Sequence, residues 1–93
     1  MHRSRYHNQL RRFRREVGLS QKEVAAILGL NSAAPVSRWE KGIVLPETLN
    51  ALKLAALYRS SVDVIYGDLR FELSDKVTQK EQAVLCARGK QDE

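Results

Sequence analysis

The stretch GLSQKEVAAILGLNSAAPVSRWEKG, residues 18–42, decides how the chain is read. Within it, SQKE at 20–23 is a capping box: the Ser20 hydroxyl is placed to accept from the Glu23 backbone N–H, and the Glu23 carboxylate to accept from the Ser20 N–H. A helix therefore starts at Gln21, draws its apolar face from Val24, Ala25, Ile27 and Leu28, and stops at Gly29, which supplies a left-handed residue. A second short helix ends at Gly42, and the difficulty is Pro35, a residue without an N–H placed where that helix begins. The first N–H groups of a helix have no partner inside it, so proline is tolerated there. With Ser32 as the cap, residues 33–35 are the first three helical positions. A start at Pro35 itself is the alternative, because proline pushes Ala34 away from helical angles. Either start leaves Val36 and Trp39 pointing inward, with Ser37, Arg38 and Lys41 facing elsewhere. Two short helices joined by a glycine turn make a helix-turn-helix unit.

Outward from this unit the pattern stays helical. Tyr6, Leu10, Phe13 and Val17 fall four, three and four apart, which predicts a first helix from about His7 to Val17, ended by Gly18 with Leu19 folding back; Arg11, Arg12 and Arg15 lie off its apolar face. Downstream, Pro46 is expected to open a helix whose core stripe is Thr48, Ala51, Leu52, Ala55 and Tyr58. Leu45, Leu49, Ala56 and Leu57 widen that helix's apolar arc enough to require a second partner. SSVDVIYG, 60–67, reads as a short fifth helix capped by Ser61 and ended by Gly67. Beyond it, Leu69, Leu73, Val77 and Val84 share one side if the tail is a single helix. A second capping-box pattern, TQKE at 78–81, offers a later start instead, and GKQDE at the end is expected to fray. The expected class is all-α.

Ninety-three residues make one small domain. A single cysteine, Cys86, allows no intrachain disulfide and no thiol cluster for zinc, which fits a reducing cytoplasm. No apolar run approaches the ~18 residues of a membrane span, so the chain is expected to be soluble and cytoplasmic. Residues 1–67 hold eleven Lys/Arg against five Asp/Glu, and six arginines (Arg3, Arg5, Arg11, Arg12, Arg14 and Arg15) precede the first acid, Glu16. That asymmetry points to a polyanionic partner, with a merely solubilising charged face as the alternative. His2 and His7 have no further ligand near them, so neither a metal nor a cofactor is expected. No nucleophile triad, converging carboxylate pair or glycine-rich phosphate loop can be assembled, so the chain is expected not to be an enzyme.

The residues from about Leu10 to Gly67 resemble the Cro and lambda-repressor-like helix-turn-helix family, the xenobiotic-response-element type of transcriptional regulator. The resemblance is carried by Arg14, GLSQKEVAAILG at 18–29, VSRWEKG at 36–42, Pro46 and SVDVIYG at 61–67. It implies a five-helix domain, here with an additional C-terminal helix, whose third helix enters the major groove of DNA while the second crosses the backbone. It further implies that Gln21, with Lys22 beside it, holds a phosphate at the start of the second helix. By the same likeness Ala33, Ala34 and Arg38 meet base edges, with Ser32, Ser37 and Lys41 beside them. From their place on the first helix, Arg11, Arg12 and Arg15 are expected to touch phosphates or solvent. Arg14 and Glu40 match a family pair that forms a semi-buried salt bridge. Two departures stand out. The turn between Gly29 and Val36 carries one residue more than the family spacing, which shifts the tip of the third helix by about one position. Ile43, Val44 and Leu45 also replace a loop that is polar or basic in the family.

The organisation expected is a DNA-binding domain over 1–67, with a basic arm at 1–6 whose Arg3 and Arg5 would enter a minor groove, and a helical tail over 68–93 that serves dimerisation or packing. Leu45, Leu49 and Leu57, together with Leu69, Leu73, Val77 and Val84 of the tail, make more apolar surface than one small core hides. A homodimer is expected; the alternative is a tail folded back on the fourth helix. The function expected is sequence-specific binding of double-stranded DNA by a repressor acting at the nucleoid. The rival is an antitoxin-like or adaptor module that grips a protein partner with its apolar loop and tail, and a third reading is nonspecific coating of nucleic acid by the basic face.

Overall fold

The computed structural model describes residues 5–91. They form six helices: α1 Leu10–Val17, α2 Gln21–Leu28, α3 Ala34–Glu40, α4 Thr48–Leu57, α5 Val62–Ile65 and α6 Gly67–Gln91. There is no strand among the described residues, so the fold is all-α with a sixth, C-terminal helix. The arm as far as residue 4, including His2 and Arg3, and residues 92–93 lie outside the described residues.

Local chemistry sets most boundaries. At α2 the Ser20 hydroxyl accepts from Glu23 N at 3.0 Å and the Glu23 carboxylate accepts from Ser20 N at 2.8 Å, which completes the capping box. Three helices then stop in the same way. Gly18, Gly29 and Gly42 take φ of 85°, 80° and 74°. The N–H after each glycine reaches back five residues: Leu19 to the Arg14 carbonyl, Leu30 to that of Ala25, and Ile43 to that of Arg38. Helix α4 ends with the same bond, from Ser60 N to the Ala55 carbonyl, but the left-handed position there belongs to Arg59 at φ 52°. A side chain in that region costs ~1–2 kcal/mol, partly offset in a glycine by lost entropy. Arg59→Gly is therefore expected to stabilise the fold by ~0.5–1 kcal/mol in urea unfolding; an unchanged midpoint would mean that the Arg59 side chain repays its strain.

Two helices start later than the positions the sequence suggests. Helix α1 begins at Leu10 rather than near His7, because the Asn8 carboxamide oxygen accepts from Leu10 N and the Gln9 N–H is taken by the Ile65 carbonyl. Helix α4 begins at Thr48 rather than at Pro46: Glu47 is still extended and its carbonyl is the first to accept, from Ala51 N. Helix α3 resolves the proline. Its hydrogen-bonded turns start at Ala34 with Pro35 in the first turn, Ala33 already has helical angles, and the Ser32 hydroxyl lies 3.4 Å from Ala34 N. Gly67 does not end α5 but opens α6, which runs unbroken through TQKE and past Gly89 to Gln91.

The core is built around Leu10, Val24, Val36, Leu54 and Ile65, closed by Trp39 from α3. Leu54 replaces Thr48 and Leu52 in the expected stripe of α4, where the inward positions are Ala51, Leu54, Ala55 and Tyr58; Leu52 is 57% exposed. Helix α4 packs on α2 and α5, and the side it turns to them carries Leu54 and Tyr58. Ile27 and Val17 likewise point outward, and Leu19 covers the core where Val17 was expected. Phe13 stacks on Tyr58 with ring centroids 6.0 Å apart and ties α1 to α4.

The buried hydroxyls of Tyr58 and Tyr66 have no hydrogen-bond partner among the described residues. Burial pushes both phenols up to about 12, and at Tyr58 the Glu40 charge adds to it. The neutral phenols are thus favoured in the fold, so their stability is fully present below pH ~10 and falls as pH rises toward 12, where the unfolded chain has already lost those protons. Tyr66→Phe is expected to gain up to ~1 kcal/mol at pH 7 and to flatten that alkaline decline. Unfolding curves at pH 7, 10 and 11 test this, and an alkaline slope equal to that of the unsubstituted chain would contradict it.

Candidate nucleic-acid interface

Helix α3 is only two turns long, so its faces separate cleanly. Val36 and Trp39 are buried, and the exposed side carries Ala34, Arg38 and Lys41 at i, i+4 and i+7, with half-buried Ser37 between them. Small Ala33 and Ala34 at the tip leave room for close approach. Ser32 and Lys22 are exposed, while Ala33 and Gln21 are half-buried. These residues come from one helix-turn-helix unit, α2 and α3, whose connecting turn is held by Leu30 against the core.

Glu40 lies on the inner side of α3. Its carboxylate is held bidentately by Arg14, with Nε donating at 2.6 Å and Nη2 at 3.1 Å, and it accepts a third bond from Gln21 Nε2 at 3.0 Å. Arg14 also donates from Nη1 to the Leu19 carbonyl at 3.0 Å. The two ionic side chains are 13% and 3% exposed. Hydrogen bonding to Glu40 is the main reason the Arg14 guanidinium is held even above its ordinary value, so this arginine stays charged. One carboxylate thereby joins α1, α2 and α3, and the acid closest to the exposed cations of α3 is neutralised by its partner.

Gln21 was expected to spend its side chain on a phosphate. One of its amide hydrogens is instead committed to Glu40, which leaves the second hydrogen and the carbonyl oxygen for other partners. On α1, Arg11 and Arg15 are exposed and lie on the turn of helix beside Arg14, whereas Arg12 points further round and pairs with Glu16 at 3.2 Å. Arg5 is exposed, and its backbone N–H, with that of Tyr6, donates to the Gly42 carbonyl, which fixes residues 5–6 at the C-terminal end of α3.

Two residues that sequence reasoning passed over also position the unit. Asn8 Nδ2 donates to the Trp39 carbonyl at 2.9 Å and so fixes the last turn of α3. Lys53 Nζ donates to the Leu28 carbonyl at 3.2 Å and closes the end of α2 from α4. An Asn two residues before a helix is a visible cap signal; the reach of Lys53 across elements has no local signature.

Among the described residues no group of His, Cys, Asp and Glu is placed to hold a metal, and no helix is long and apolar enough to cross a membrane. The apolar candidates for packing divide: Leu57 and Leu69 rest on the core of their own chain, while Leu45, Leu49, Leu73, Val77 and Val84 are exposed. The tail does not fold back on α4 along its length, since every residue from 75 to 89 is exposed.

No curated protein gives a significant match to the chain. The family model described as helix-turn-helix matches residues 10–65, from the first residue of α1 to the last of α5, and this is more than half of the chain. With that match over α1 to α5, and α2 and α3 arranged as described, the chain belongs to the Cro/C1-type helix-turn-helix family of DNA-binding transcription regulators.

Proposed function

We propose that the protein is a sequence-specific repressor that binds double-stranded DNA as a two-fold homodimer, with α3 in the major groove of each half-site. The observation that carries this reading is the exposed face of α3, where Arg38 and Lys41 project beside two small alanines while the only acid of that helix is locked behind them. An arginine paired with guanine is the commonest specific contact in that groove, which makes Arg38 the base reader of the reading. Lys22, Lys41, Arg11 and Arg15 supply phosphate contacts, as do the backbone at the start of α2 and the second amide hydrogen of Gln21. Ser32, Ala33, Ala34 and Ser37 border the base edges. The domain responsible spans 1–67, its basic arm adds a minor-groove or phosphate contact, and residues 68–93 serve association.

Selection from a randomised duplex pool at ~150 mM salt tests the proposal, because nonspecific electrostatic binding is weakened there. An enriched inverted repeat is expected. No enrichment by folded protein, together with a co-purifying protein in fixed stoichiometry, would favour the adaptor reading through the apolar loop at Ile43.

A further inference from the structure

Helix α6 is 25 residues long, and every residue from 75 to 89 is exposed. That portion is about 25 Å of helix at 1.5 Å per residue. A lone helix of this length with no face to bury is marginal in water. Yet it carries an apolar stripe, interrupted only by Lys80: Leu73, Val77 and Val84 are 48%, 63% and 63% exposed and lie within a quarter turn of one another. At its N-terminal end the stripe runs into a groove of roughly 360 Å³ between α4 and α6, walled by Leu45, Leu52, Tyr66, Leu69 and Leu73.

The charges along α6 are unevenly divided. Its first part carries Asp68, Glu72 and Asp75 against one cation, Arg70; the part from residue 76 on carries Lys76, Lys80, Arg88 and Lys90 against one acid, Glu81. A parallel pair would set acid against acid and base against base. An antiparallel pair sets the basic half of each helix against the acidic half of the other.

We infer that a second copy of this chain covers the stripe, with the two α6 helices antiparallel about a two-fold axis near residues 78–79. Leu73 of each copy then faces Val84 of the other, and the C-terminal half of each α6 extends toward the partner's groove at Leu45 and Leu52. The interface is isologous, so the same apolar stripe and the same charge gradient serve both sides. This deepens the homodimer proposed above and rests on that part of it, but not on DNA binding.

Cys86, the only cysteine and exposed, gives a label on the chain as it stands. Antiparallel helices place the two Cys86 positions roughly 25 Å apart, and parallel helices in register roughly 10–15 Å, from the helical rise and the usual spacing of packed helices. The experiment is sedimentation of the full chain without DNA, followed by spin-label distance measurement at Cys86. Dimers with the longer distance are expected, and Val77→Glu with Val84→Glu, both exposed and remote from the α1 to α5 core, is expected to raise the dimer dissociation constant at least 100-fold. The core of that variant is checked by its tryptophan fluorescence at Trp39. A monomer at 100-micromolar concentration, a short distance, or a dimer indifferent to the two glutamates would overturn the inference. A monomer that still enriches a single half-site would overturn it while leaving the DNA-binding reading in place.

Discussion

Glu40→Ala is expected to destabilise the protein by ~3–5 kcal/mol, because it strands the Arg14 guanidinium in a site where its side chain is only 13% exposed. The loss has two parts. Arg14 keeps its charge but loses the two bonds that compensate its burial, retaining only the Leu19 carbonyl, and Gln21 Nε2 loses its acceptor. For a domain of this size the midpoint of thermal unfolding should fall by at least ~12 °C. The double change Arg14→Met with Glu40→Leu removes both charges together and should recover most of that loss, since an apolar pair needs no partner. Its DNA affinity should remain below that of the unsubstituted chain, because Gln21 is no longer held. Thermal melts of the single and double variants check this; a Glu40→Ala melt within a degree or two of the parent would show that water satisfies the stranded Arg14 guanidinium at little cost.

Arg38→Ala should leave the fold intact and cost binding. The side chain is exposed and makes no hydrogen bond or ion pair to another described residue, so its removal opens no cavity. On the duplex that the protein selects, affinity should fall by roughly 10- to 100-fold, the ~1–3 kcal/mol of a good bidentate base contact, and the preference at one or two base pairs of each half-site should relax. Binding to unrelated duplex should change little. Competition titrations against single-base variants of the selected site check the outcome. A uniform loss over all sequences, with the salt dependence reduced by about one charge, would assign Arg38 to a phosphate instead.

Much of the fold could be read locally, and the reason is visible in α2. Ser20, Glu23 and Gly29 act on groups within four residues of themselves, so their pattern is fixed before any tertiary contact forms. The glycine stops at Gly18 and Gly42 and the tolerated Pro35 are of the same kind. What was not legible depends on partners far along the chain. Helix α1 loses its expected first turn in part to the distant Ile65 carbonyl, and the packing of α4 on α2 and α5 puts Leu54 in the core in place of Leu52. Periodicity alone also counted Ile27 and Val17 inward, because a two-turn helix satisfies an apolar pattern at more than one rotation.

The site divides along the same line. Which side chains leave α3 outward follows from Val36 and Trp39, three residues apart, and needs nothing beyond the sequence. The double role of Gln21 does not follow, since its bond to Glu40 crosses from α2 to α3 and competes with the phosphate contact that the family likeness suggested. The tail shows a third situation. Its stripe of Leu69, Leu73, Val77 and Val84 is plain in the sequence, but whether it folds back or stands clear is set by α5 and the unbroken start of α6 at Gly67.

In the proposed complex α3, with the start of α2, is the surface that meets duplex DNA. The most direct test is to follow the backbone amide resonances of the full chain as the selected duplex is added. The largest shifts are expected at residues 32–41 and at Gln21 and Lys22, with α4 and the distal part of α6 little changed; shifts centred on the groove at Leu45, Leu52 and Leu73, with α3 unmoved, would contradict it.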